Sequence, residues 1–243
     1  MNRQTRPTPL PLTTRLPGAC WVRMRIGSGR RLESLLEYPA MTCYFPETTL
    51  IEVNPGMIRR RLVKAGDLPR NRRKKFFLRD EDHWDVAEFS ESYQYRLIKE
   101  IWHHRDDLGA APLYQSLLED IQRGDGFQRG GRQRFALTDE AALIHYMTTY
   151  LDIMRDIAEN GYRADAGPDE LGVAIAGDGE LMKYSSGKHR LAMAQVLGIP
   201  RIPVRICRIH QGWWRTHTPD PSEPVPQALA RVLAGHSGDT TDA

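Results

Sequence analysis

The hexapeptide Ser185-Ser186-Gly187-Lys188-His189-Arg190 carries the densest chemistry in the chain: three small residues, then three that bear or can take up positive charge. Small residues let a ligand approach the backbone. The residues that follow, Leu191, Ala192, Ala194, Val196 and Leu197 closed by Gly198, predict that the hexapeptide opens a helix. A helix start presents backbone N–H groups that have no carbonyl a turn earlier, together with the positive end of the helix dipole. Cationic side chains at that end work against the dipole, so helix stability alone does not account for Lys188, His189 and Arg190. A bound anion resolves the conflict, and phosphate is the anion that strand-turn-helix junctions hold. The plain alternative is a solvated Lys188 and Arg190 beside a packed, hydrogen-bonded His189.

The elements that must position this turn are legible on both sides of it. Leu171–Ala176 and Glu180–Tyr184 predict a hairpin turning at Gly177-Asp178-Gly179, and Ile202–Ile206 predicts a closing strand. Upstream, Leu143, Met147, Leu151, Met154 and Ile157 line one face of a helix that starts at Thr138 and stops at Asn160-Gly161. Two more helices are predicted over Val86–Trp102, from Phe89, Tyr93, Leu97 and Ile101, and over Pro112–Ile121. A first strand, Thr49–Val53, is stopped by Asn54-Pro55-Gly56. Trp213-Trp214, just past the last strand, read as core aromatics, with cover of a ligand cleft as the alternative.

With 243 residues, 40% of them hydrophobic and 27% charged, the chain suits one elaborated globular domain. Residues 1–31 read as a loose Pro- and Arg-rich arm, and residues 218–243 as a flexible tail with a short helix over Gln227–Leu233. No apolar run approaches the roughly 20 residues of a membrane span, and Pro7, Pro9, Pro11 and Pro17 interrupt any secretory apolar core, so a cytoplasmic location is expected. Cys20, Cys43 and Cys207 have no C-x-x-C spacing and are expected as free thiols. The net charge of +3 names no partner by itself. Its concentration between Arg59 and Arg79, with Arg72-Arg73-Lys74-Lys75 at the centre, is a candidate nucleic-acid contact or a solvated face.

Gly187-Lys188-His189-Arg190 resembles the G-x-H-R nucleotide-binding motif of the ParB and sulfiredoxin superfamily. Val53-Asn54-Pro55 is similar to the N-P box that opens ParB domains, and Asp156–Gly161 to their S-I-x-x-x-G helix end. Gly172–Tyr184 matches the hairpin leading into the motif, and Ile202-Pro203-Val204 the closing strand. The boxes fall in the family's order, with a helical insertion at about 65–137 between the first two. The resemblance implies an α/β domain over residues 32–217, with a small mixed sheet, that insertion and disordered ends.

Members of the superfamily bind CTP, or ATP and ADP, so the resemblance places Ser185, Ser186, Gly187, Lys188, His189 and Arg190 on the phosphates of ATP or CTP with Mg²⁺. Lys188 stands where sulfiredoxins carry their reactive Cys, which argues against that chemistry. Ser186 replaces the Asp of the serine kinases. Phosphoryl transfer or nucleotide hydrolysis on a small molecule would also need acidic groups, for which Asp178, Glu180 and Glu52 are the nearest candidates. A nucleotide-regulated DNA-binding module is the second reading, weakened because Gln211–Ala243 is too short and Pro-rich for a helix-turn-helix domain. A non-catalytic binding domain is the third. Oligomeric state is not specified by the sequence.

Overall fold

The computed structural model describes residues 36–62, 75–79, 85–125, 127–129, 135–163 and 171–238. At its centre lies a mixed sheet of β1 (Leu50–Val53), β2 (Arg60–Leu62), β3 (Phe77–Leu78), β4 (Val86–Glu88), β7 (Gly172–Ile175), β8 (Leu181–Lys183) and β9 (Ile202–His210). A separate ribbon pairs β5 (Phe127–Arg129) with β6 (Phe135–Leu137). The order across the main sheet is β1-β9-β7-β8-β2-β4, with β3 alongside the far end of β9. The α/β class and mixed sheet expected from the sequence are both present.

Every residue of β7 is buried, as are Val204–Ile209 of β9. Continuous rather than alternating burial is what a strand covered on both faces requires. The charges that β9 takes inside are met: Arg205 donates to Thr49 Oγ1 (3.0 Å) and to the Pro46 carbonyl, and Arg208 lies near the rings of Tyr38 and Tyr184.

Around the sheet run α1 (Tyr38–Tyr44), α2 (Tyr93–His103), α3 (Pro112–Gln122), α4 (Glu140–Asn160), α5 (Lys188–Val196), α6 (Gln211–His217) and α7 (Val225–Gly238). In α5 the successive residues Leu191, Ala192, Met193 and Ala194 are all buried. At 3.6 residues per turn, four successive positions sweep about 300° of the helix circumference, so α5 needs cover on nearly every side. It shares one apolar core with Val204 and Ile206 of the sheet, and packs along α2, whose Leu97, Ile98 and Ile101 are fully buried. The helical insertion thus supplies the outer cover of the helix that follows the basic turn.

The long helix α4 forms as its periodicity predicts, one residue shifted at the start: Asp139 is the N-cap, accepting from Ala142 N at 2.7 Å, and Gly161 ends it. Two other expectations are corrected. The helix predicted over Val86–Trp102 begins only at Tyr93, with Ser92 as N-cap, because Val86–Glu88 pair antiparallel with β2. Pairing with a strand distant in sequence outweighs a local period. The tail helix extends over Val225–Gly238 and is docked, with Val225, Ala228, Leu229 and Leu233 buried where α7 meets β1 and the turn Glu47–Thr49. Of the two readings of Trp213 and Trp214, the core one holds: both are buried on α6, with Trp214 packed 5.0 Å from the Phe77 ring. Among the described residues no helix is long and apolar enough to cross a membrane.

Candidate functional site

The turn between β8 and α5 is built around Lys183, the last residue of β8, which is 1% exposed. Its Nζ donates to the carbonyls of Gly172 (2.8 Å), Ser185 (2.8 Å) and Ser186 (2.6 Å), occupying all three N–H groups of an ammonium. Burial pushes its pKa down to about 7, with the Cys207 thiol acting in the opposite sense and Lys188 in the same one. The consequence for the turn follows from peptide planarity. In a trans peptide the carbonyl and the next N–H point in opposite directions. With the Ser185 and Ser186 carbonyls drawn in to Lys183, the N–H groups of Ser186 and Gly187 face away from it.

Gly187 is the N-cap of α5, at φ 86° and ψ 23°. A Cβ there would lie 3.0 Å from Leu171 Cα, so the left-handed backbone and the close approach both call for glycine. From Lys188 onward the chain is helical, and the N–H groups of that first turn have no carbonyl one turn earlier. Ser185 contributes through its backbone, since its Oγ lies 3.5 Å from the buried Cys207 Sγ.

Positive charge gathers on one flank of this turn. Arg61 of β2 is the register partner of Lys183 in the parallel β2–β8 pair. Lys188 is half-buried, and burial followed by the Arg61 charge lowers its pKa. The Nε of Arg61 is buried with no hydrogen-bond acceptor among the described residues, and neither Arg61 nor Lys188 forms a salt bridge within them.

The other flank is aromatic. His189 packs on Tyr150, with ring centroids 4.8 Å apart and Nε2 3.5 Å from the tyrosine hydroxyl. Arg190 lies against Tyr162, whose pKa is raised by burial, lowered by the Arg190 charge and hydrogen bond, and raised again by Glu52. Arg190, Tyr162 and Glu52 therefore form one electrostatic group, and Glu52, on β1, is the predicted acidic residue whose charge reaches Tyr162.

The other two acids stand elsewhere. Asp178 and Glu180 both bind Arg60 Nη2, at 2.6 and 2.5 Å. They sit where the hairpin turns, at the opposite end of β8 from Ser185. At about 3.3 Å per residue, the five steps from Glu180 to Ser185 span roughly 16 Å. Their role is to hold β2 onto the β7–β8 hairpin, and the sequence reading of them as partners of the phosphate turn is corrected. Arg72, Arg73 and Lys74 lie outside the described residues; Lys75 is half-buried, and its backbone forms an isolated antiparallel β-bridge with Glu37. Lys183 was not visible as a site residue, because a lysine in a strand ordinarily marks a solvent face. The signal available was the apolar company of Leu181 and Met182 and the chain's return to small residues directly after it.

A cavity of about 690 Å³ lies at the other end of α5, between its last turn, the Asn54-Pro55-Gly56 segment and the end of β4. It is separated from the basic turn by the helix itself, nine residues or about 13 Å. Comparison with family models, curated proteins and solved structures finds no match.

Proposed function

We propose that the turn Ser185–Arg190, with Arg61, binds the phosphate groups of a nucleotide or another phosphorylated small molecule. The observation that carries this reading is the arrangement around Lys183. A buried cation draws two carbonyls inward and so turns the intervening N–H groups outward, beside Lys188 and Arg61, which no carboxylate among the described residues neutralises. An anion in front of such N–H groups gains both hydrogen bonds and charge. Tyr150 and Tyr162 on the far flank supply aromatic surface suited to a nucleoside.

Phosphoryl transfer or hydrolysis from ATP or CTP with Mg²⁺ would need an acidic or orienting group near the phosphates. Glu52 is the residue this reading assigns to that role, since Asp178 and Glu180 are held by Arg60. Without activity dependent on Glu52 the site is a non-catalytic binding site.

The test is thermal unfolding with ATP, ADP, CTP, GTP and pyrophosphate, with and without Mg²⁺, in the wild type and in Lys188→Ala and Arg190→Ala. A ligand at tenfold its Kd stabilises the fold by about 1.4 kcal/mol, and either substitution, weakening binding roughly tenfold, should cut that to about 0.4 kcal/mol. Absence of any shift in the wild type would remove the reading.

A further inference from the structure

The cavity at the C-terminal end of α5 is an open cleft with pinned walls. Gln195 Nε2 donates to the carbonyls of Pro55 (2.7 Å) and Ile58 (3.0 Å), which fastens the last turn of α5 to the loop after β1. Asn54 Oδ1 accepts from Gly56 N (2.8 Å) and shapes that loop, while Phe89 N donates to the Arg59 carbonyl (2.7 Å) and joins the two strand ends on the far wall. Three separate elements are thus pinned around about 690 Å³, within the range of small-molecule sites.

The wall is charged in both senses. Arg59 and Glu88 line the cavity from neighbouring strand ends, yet among the described residues neither forms a salt bridge, with each other or with any other side chain. Beside Asn54, Ser90 and Gln195, the lining includes an apolar portion from Ile199, Pro200 and the Tyr95 ring, which is held edge-on to Phe89 at 5.9 Å. A ligand that matches carries an ammonium and a carboxylate on one small apolar body. A monoanion leaves Glu88 unmet, and a simple amine leaves Arg59 unmet.

We propose that this cavity binds a zwitterionic α-amino acid with an apolar side chain, its carboxylate on Arg59 and its ammonium toward Glu88. The site is independent of the phosphate turn, lying at the opposite end of the helix.

The experiment is calorimetric titration of the full chain with L-leucine and L-phenylalanine, compared with 3-methylbutylamine and 4-methylpentanoate, which each keep one of leucine's two charges. At least one amino acid should bind saturably at millimolar concentration or below. Each singly charged analogue should bind about tenfold or more weakly, the loss expected for one charge-assisted hydrogen bond. Arg59→Gln and Glu88→Gln should each weaken the amino acid about tenfold as well, and because both side chains are exposed, circular dichroism should show both variants folded. The proposal is overturned if neither amino acid binds, if an analogue binds as tightly as its parent, or if both substitutions leave the affinity unchanged.

Discussion

Glycines stand at both ends of α5, and replacing each with alanine makes the same chemical change in two different surroundings. Gly187 has φ 86° and Gly198 φ 64°, so alanine at either pays roughly 1–2 kcal/mol for the left-handed backbone. Both changes also recover about 0.4–1 kcal/mol by restricting the unfolded chain, which cancels in the comparison. The sites differ in space. At Gly187 the new Cβ meets Leu171 Cα at 3.0 Å and Leu171 Cβ at 3.3 Å, atoms that cannot swing away, whereas at Gly198 nothing lies within 4 Å. Crowding of that kind costs about 1–3 kcal/mol. Gly187→Ala is therefore expected to be less stable than Gly198→Ala by about 1–3 kcal/mol. Urea unfolding followed by circular dichroism and by fluorescence of the buried Trp213 and Trp214 gives the two free energies, and an unchanged m-value establishes that stability alone has moved. Equal losses in the two variants would refute the close approach that shapes the turn. Gly187→Ala should also lose phosphate binding, which Gly198→Ala should keep.

Lys183 gives a pH signature with two opposite slopes. Its folded pKa of about 7 lies below the ordinary lysine value near 10.4, so between those limits the unfolded chain holds more protons at this position and stability rises with pH. Phosphate affinity, which favours the ammonium, should fall across the same window, where the ligand's own ionisation near pH 6 is complete; urea melts and ligand titrations that slope together would contradict this. Asp178→Asn with Glu180→Gln should cost only the ~0–1 kcal/mol of an exposed pair and leave ligand affinity unchanged, whereas loss of binding would return those acids to the site. Leu229→Ala should destabilise by about 2–5 kcal/mol, since the side chain is a fully buried residue of α7; an unchanged midpoint would show that the helix is not docked.

The turn was legible because its signal is local: small residues, a run of cations and an apolar helix stop within a few positions of one another. The α4 helix was legible for the same reason, with Leu143, Met147, Leu151 and Met154 on one stripe. What escaped depends on partners far along the chain. Val86–Glu88 become a strand only because Arg60–Leu62 lie beside them. Arg61 reaches Lys188 only through the parallel pairing of β2 with β8. Asp178 and Glu180 looked close to the turn in sequence, but an intervening strand carries its two ends apart. Lys183 was hidden by its type, since its burial is possible only where three carbonyls converge.

The central claim is that the outward-facing turn, with Lys188 and Arg61, holds phosphate. Calorimetric titration of the wild type and of the Lys188→Ala/Arg61→Ala variant with ATP, CTP and pyrophosphate tests it most directly. Saturable binding of at least one of these is expected in the wild type, weakened about a hundredfold when both cations are removed, roughly tenfold for each. Binding that survives the double substitution intact, or a wild type that takes up none of the three ligands, would contradict the account.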